Sequence, residues 1–236
     1  MNRSSLSYTH FERLPLRRPV DRLDYISDQC SGVSVLDLGC LDETALVKKD
    51  TTYWLHRRIF AVAREVLGMD SSSLVPPEGL STAPNARILH ADATDPDPAV
   101  LDGFLPEVIV AGEFIEHIPN PSAFLRNIKK HYAGRTLVFS TPNGSSISNF
   151  IMGLAGREVQ HPDHLHNFTF KTLNTMCLRT GFQNWDIIPY RFFATEMILN
   201  SAPPKRAAAI AGEKIIRVLE RLFPALSFGY IVVAKI

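Results

Sequence analysis

The run Glu113-Phe114-Ile115-Glu116-His117 holds two carboxylates and an imidazole within five residues. On a helix, Glu116 stands at i+3 and His117 at i+4 from Glu113, so all three side chains share one face of a single turn. Such a set suits Mg²⁺ or Mn²⁺, with the imidazole favouring the softer ion. A second run, His161-Pro162-Asp163-His164-Leu165-His166, could supply a fourth ligand. A histidine here can also act as a general base, a role that falls to His117 or His164, with His161 and His166 in reserve.

These residues must be positioned by the elements around them. Residues 33–38 (VSVLDL), 65–69 (EVLGM), 86–90, 107–111 (EVIVA) and 135–140 (RTLVFS) are apolar runs of strand length. Between them, residues 52–63 and 121–132 space their apolar positions as helices do. Residues 71–84 are rich in Ser, Pro and Gly and read as a loop. Thr169 is a plausible N-cap for a helix reaching Arg179, and Gly181 ends it. Leu14, Leu16, Val20, Leu23, Tyr25 and Ile26 suit a short N-terminal helix covering one edge, with Arg13, Arg17, Arg18 and Arg22 on its solvated side. Residues 186–189 and 229–236 are strand-like, and 205–222 is an added helical stretch. Strands alternating with helices predict a doubly wound α/β fold with a mostly parallel sheet. In such a sheet ligands lie beyond the carboxyl ends of the strands. Asp37, Asp70 and Asp92 stand at three of those ends. Carboxylates there accept hydrogen bonds from ribose hydroxyls, an amine or an ammonium group and repel a pyrophosphate, which favours a cationic nucleoside.

At these positions the chain resembles class I S-adenosylmethionine-dependent methyltransferases. Val35-Leu36-Asp37-Leu38-Gly39-Cys40 is similar to that family's first motif. Val66-Leu67-Gly68-Met69-Asp70 is similar to the second, whose terminal acid holds the ribose diol, and His90-Ala91-Asp92-Ala93 to the third, beside the adenine. Gly112 to His117, Phe139 to Asn143 and His164 through Phe182 follow in the family's order. The resemblance implies a seven-stranded sheet, S-adenosylmethionine as cofactor, and cofactor contacts from Asp37, Gly39, Cys40, Asp70, Asp92, Ala93 and Gly112. Leu41 stands where the family usually has a second glycine. The stretch from Gly39 to Asp70 is also longer than the roughly 20 residues of the dinucleotide-binding analogue; His56 lies within it and reads as a packing or surface histidine. The E-x-x-E-H run with a distant D-H resembles two metal-dependent branches, the ubiquinone-biosynthesis O-methyltransferases and the small-RNA 2′-O-methyltransferases. By that resemblance Glu113, Glu116, His117 and His164 bind the ion.

Composition bounds the remainder. The chain is 45% hydrophobic and 21% charged over 236 residues, which suits one globular domain. It divides into an N-terminal cover (1–30), a cofactor-binding core (31–190), a helical addition (191–226) and a last strand (227–236). Twenty-five basic against 24 acidic side chains leave +1, so no global field attracts nucleic acid or a membrane, although a local patch is compatible with this balance. Cys30, Cys40 and Cys177 share no metal-type spacing and suit reduced thiols, as in the cytoplasm. The expected activity is an O-methyltransferase for a small hydroxylated acceptor, such as a sugar, glycan or secondary metabolite, working as a monomer or homodimer. A metal-independent N- or C-methyltransferase, or a binding module that kept the fold, are the competing readings. The segments 144–165 and 205–222 are expected to cover the acceptor pocket or form a dimer contact.

Overall fold

The computed structural model describes residues 6–41, 45, 49 and 51–236. Its centre is a single sheet of eight strands: β1 (Ser34–Leu38), β2 (Glu65–Asp70), β3 (Leu80–Ala83), β4 (Ala86–His90), β5 (Val108–Gly112), β6 (Thr136–Pro142), β7 (Asn184–Tyr190) and β8 (Gly229–Lys235). They are ordered β3-β4-β2-β1-β5-β6-β8-β7. Strands β4, β2, β1, β5 and β6 pair in parallel, while β8 runs antiparallel to both β6 and β7. The order reverses at β1, which lies between β2 and β5, so the ligand crevice is expected beyond the carboxyl ends of these three strands.

Every residue of β1 is buried, as expected for a central parallel strand covered on both faces. Its period of two divides those side chains between two cores. Leu36 and Leu38 join Ile109, Phe139, Phe170 and Leu173 on one face. Val35 joins Val66, Val110, Val138 and Ile231 on the other. Asp37 therefore projects on the Val35 face, into the layer occupied by α2 (Leu55–Phe60).

The sheet has one strand more than expected. β3 lies within the 71–84 stretch and pairs antiparallel with β4 across the turn at Pro84 and Asn85. Asn85 ties this turn to α2 by donating to the carbonyls of Phe60 and Ala63. The flanking glycines and prolines mask so short a strand in the sequence. α2 is itself shorter than the expected 52–63. The N-terminal helix is also shorter than its apolar spacing suggested: α1 spans Arg22–Gln29, capped by Asp21. Pro15 and Pro19 keep the preceding chain from becoming helical, and Val20 instead forms a bridge with Tyr190.

The remaining helices are α3 (Pro121–His131), α4 (Ile147–Leu154), α5 (Phe170–Arg179), α6 (Thr195–Leu199) and α7 (Pro203–Leu222). Thr169 caps α5 through a reciprocal bond with Thr172. α7 is fastened differently. Only Ala209 and Glu220 of its side chains are buried. Glu220 accepts the N–H groups of Phe192 and Phe228. Glu213 accepts that of Ala194, and Arg217 donates to the carbonyl of Phe192. Burial pushes the Glu220 carboxyl up to about 7, against the pull of those N–H donors and of Arg217 and Arg191.

A carboxyl whose folded pKa is raised stabilises the fold fully below its unfolded pKa, and that stability is lost as pH rises toward the folded value. Wild type should therefore lose stability relative to Glu220→Gln between about pH 4.5 and 7, by up to the order of 3 kcal/mol. Denaturant titrations of both proteins across this range test it. A difference that does not vary with pH would show that Glu220 keeps its ordinary pKa.

Candidate active site

The loops leaving β1 and β2 meet at Asp70. One carboxylate oxygen accepts the N–H of Leu41 and the other that of Ser72, both at 2.8 Å. A carboxylate has about four acceptor positions, and these two amides set its orientation. Gly39 enters the same loop with φ +63°, and its N–H donates to the carbonyl of Met69. A side chain at this position would collide with the Phe114 ring, 2.3 Å from where its Cβ would stand. Asp92 lies exposed at the end of β4, accepting from the Thr94 N–H.

Leu41 is buried with Trp54, Val75 and Ile88 in a small satellite core. Its side chain thus packs into the protein, while its N–H serves Asp70. The loop is held by this packing and by the bond from the Trp54 indole to the carbonyl of Cys40 (2.8 Å), an arrangement that does without a second glycine.

Several expected cofactor contacts have other partners. Asp37 is bonded to His56 Nδ1 at 2.8 Å, and His56 Nε2 to the Thr82 hydroxyl at 3.0 Å. This buried chain follows from the period of β1, which turns Asp37 toward α2 and away from the strand ends. Gly68 leaves room for it, since a Cβ there would lie 2.7 Å from Cys40 Sγ and 3.3 Å from the His56 ring. His56 is thus a buried structural residue. The Cys40 thiol is pushed well up by burial and then by Asp37 and Asp70, so it stays protonated. Ala93 belongs to the main core. Gly112 makes room for Leu55, whose Cδ2 would be 2.4 Å from an added Cβ.

The helical turn expected at 113–117 does not form. Glu113 adopts φ +55°, a left-handed conformation that breaks the turn, and helix α3 starts only at Pro121. The Glu113 N–H donates to the carbonyl and hydroxyl of Ser140. Its side chain accepts from the Tyr190 hydroxyl (2.7 Å) and faces Arg22 (3.4 Å). The imidazole of His117 faces elsewhere, toward His161 and His164. Ring centroids are 4.6 Å apart for His117–His164, 5.9 Å for His117–His161 and 5.6 Å for His161–His164. One ring nitrogen from each lies within 4.8 Å of the others. Burial lowers the pKa of His117, with His161 adding to the effect; burial and then the His117 and His161 charges lower that of His164. His166 points away, to the carbonyl of Pro119.

Glu116 is buried beside this cluster in sequence. The Thr141 hydroxyl lies near it, yet neither Glu116 oxygen has a hydrogen bond of acceptable geometry among the described residues. Burial and the neighbouring Glu113 charge push its carboxyl up to about 8. The structure thus brings together His117 and His164 of the expected set, adds His161, turns Glu113 aside and leaves Glu116 a buried orphan. Sequence reasoning missed Arg22, Tyr190 and Ser140 around Glu113. Arg22 stood among four arginines with nothing to set it apart, and Tyr190 is remote in the chain.

A profile of the methyltransferase-domain family matches residues 8–187, and the chain belongs to that family. It is a class I S-adenosylmethionine-dependent methyltransferase with the α/β fold expected of one. The small RNA methyltransferase HEN1 superposes with a TM-score of 0.56 at 16% identity, over 91% of this chain and 24% of that one. The methyltransferase domain of bacterial CtHen1-CN gives 0.51 at 16% identity, over 92% and 98%. A SAM-dependent methyltransferase from Archaeoglobus fulgidus gives 0.49 at 16% identity, over 91% and 94%. No curated protein sequence matches the chain.

The donor set suits this cofactor: Asp70 presents an oriented carboxylate at the switch point, where a ribose diol would be held. Asp70→Ala should weaken S-adenosylhomocysteine binding more than tenfold, since a charge-assisted hydrogen bond contributes about 1.5–3 kcal/mol and ~1.4 kcal/mol is tenfold. Calorimetry checks this, and an unchanged dissociation constant would remove Asp70 from the site. His56→Ala should do the reverse. Leaving the Asp37 carboxylate buried without its partner should cost about 3 kcal/mol of stability by chemical denaturation, with less than a tenfold change in the affinity of the folded protein.

Proposed function

We propose that this enzyme methylates a hydroxyl group of a small polar acceptor, a sugar, glycan or secondary metabolite, by using its histidine cluster to help remove the hydroxyl proton. The observation that carries this reading is the convergence of His117, His161 and His164 after β5. An alcohol is a poor nucleophile at neutral pH, and it needs a base or a cation where it reacts. Burial lowers the pKa of His117 and His164, which favours their neutral forms, able to accept a proton. The cofactor brings a methyl group on a sulfonium, which leaves as a neutral thioether. The protein's part is to hold the acceptor in line and take its proton.

The same cluster would hold a divalent ion: His117, His161 and His164 offer three ring nitrogens within 4.8 Å of one another. An ion so held would act as a Lewis acid on the acceptor oxygen, and three imidazoles favour Mn²⁺ over Mg²⁺. His161 thus joins His117 and His164, while Glu113 is engaged by Arg22 and Tyr190 and Glu116 lies outside the cluster. A ribose diol offers the same vicinal oxygens, but the near-neutral chain gives little support for an RNA acceptor.

Two cavities beside α4, one at its start and one reaching the loop that follows it, can receive an acceptor. One of about 490 Å³ is lined by Ser146, Asn149, Phe150 and Leu226, and one of about 320 Å³ by Asn149, Arg157, Gln160 and Asn167. The second lies next in sequence to His161, so acceptor and imidazoles share this side of the molecule.

Methyl transfer from labelled cofactor, measured over a panel of sugars, phenols and amines, tests the reading. Hydroxyl acceptors should be labelled, chelator should suppress turnover, and Mn²⁺ should restore it. His161→Ala should raise the metal concentration required, with little change in cofactor affinity. Labelling confined to amines would overturn the hydroxyl assignment. Full activity in excess chelator would leave His117 or His164 as a simple base. The rate would then rise with pH through a value below the ordinary ~6.5 of histidine, because burial lowers both groups.

A further inference from the structure

Helix α7 is apolar on its outer side, whereas its inner side is held by charged groups. The inner side carries Ala209, Glu213, Arg217 and Glu220, bonded to the chain at 192–194 and 228. The outer side carries Ala207, Ala211, Ile215, Val218 and Leu222, whose spacings of three and four keep them on one stripe. Ile215 is 62% exposed, Val218 60% and Leu222 65%. α4 and α6 both pack against α7. They add Phe150, Ile151 and Leu154 from one and Met197 and Leu199 from the other. These three helices and Phe223 carry half of the large apolar side chains exposed among the described residues. So dense a patch is a mark of an interaction surface.

Charge selects the partner. Both acidic side chains of α7, Glu213 and Glu220, are turned inward and spent on backbone N–H groups. The exposed charges on the helix are Lys205, Arg206, Lys214 and Arg221, all basic. α4 has no charged residue, α6 carries one acidic residue, Glu196, against the four exposed cations of α7, and Arg157 and Glu158 just beyond α4 offset one another. A second copy of the chain, packed on the same face about a twofold axis, would set these cations against themselves with no acid on α7 to pair them. A bilayer with anionic headgroups supplies the opposite charge and an apolar layer beneath it.

We propose that the outer face of α7, with the exposed residues of α4 and α6, docks on anionic lipid surfaces. The helix lies along the surface, since no helix among the described residues is long and apolar enough to cross a membrane. Phe150 is exposed on α4, which packs against α7, and it also lines the larger cavity, so docking that includes α4 brings the cavity to the lipid boundary. A net charge of +1 over the whole chain does not oppose this, because headgroups respond to the local patch within a Debye length.

Co-sedimentation of the full chain with vesicles tests the proposal. Vesicles of phosphatidylcholine containing phosphatidylglycerol should carry the protein down, and vesicles of phosphatidylcholine alone should do so at least about tenfold less. High salt should weaken the binding. Ile215→Glu with Val218→Glu should abolish it, and Lys214→Gln with Arg221→Gln should weaken it roughly tenfold. All four side chains point outward, so S-adenosylhomocysteine affinity and melting temperature should hold in both variants and confirm folding. Failure to bind anionic vesicles, or binding that survives Ile215→Glu with Val218→Glu, overturns the proposal. So does a solution dimer that the same double change dissociates, since a second copy would then be the occupant.

Discussion

The carboxylate of Asp70 is the joint on which the cofactor side of this enzyme depends. It gathers N–H groups from the loops leaving two adjacent strands and fixes their separation at the point where strand order reverses. The N–H of Leu41 reaches it only because the Leu41 side chain is anchored in its own small core with Trp54 and Ile88. A hydrogen bond and an apolar contact therefore set one loop together. This explains how the loop keeps its course without a second glycine: packing replaces conformational freedom as the source of order.

The same economy recurs elsewhere, with charged groups serving as structural connectors. Asp37 and His56 tie β1 to α2, and Thr82 extends the chain of bonds to the edge hairpin. Glu220 and Glu213 attach α7 to the backbone that leads out of β7 and into β8. Glu113 binds the N-terminal segment, through Arg22, to the last residue of β7, Tyr190. A buried polar group must be satisfied or it destabilises the fold. These connectors are consequently specific in a way that apolar contacts are not, and each joins segments far apart in the chain.

Glu116 stands out against this pattern. Most buried carboxylates here have donors, whereas its two oxygens have none among the described residues. It stands next to His117 in sequence, yet its oxygens are not among the atoms that cluster with the three imidazoles. The lowered pKa values of His117 and His164 and the raised one of Glu116 share their largest cause, burial, to which neighbouring like charges add. Both shifts favour neutral groups, which can exchange a proton with an acceptor or turn to a cation. The proposed chemistry thus follows from desolvation as much as from residue identity.

The alternation of strands and helices, the carboxyl-end acids and the order of the motifs were legible from residue order alone, because each rests on local periodicity or on neighbours a few residues apart. Thr169 as a cap and Pro121 as a helix start were legible for the same reason. Partners, by contrast, were set by folding. Asp37 and Asp70 look alike in the sequence, each the acid of an apolar strand. Yet the alternation of β1 sends one to a histidine under the sheet, and the other remains at the switch point. The expected helical turn at 113–117 failed because Glu113 is drawn into a left-handed conformation by Ser140, Tyr190 and Arg22, residues between 27 and 91 positions away. The third histidine, the hidden strand β3 and the outward apolar stripe of α7 likewise depend on what the folded chain places beside them. Local propensity is written in adjacent residues, whereas the satisfaction of a buried charge is settled only when distant segments meet.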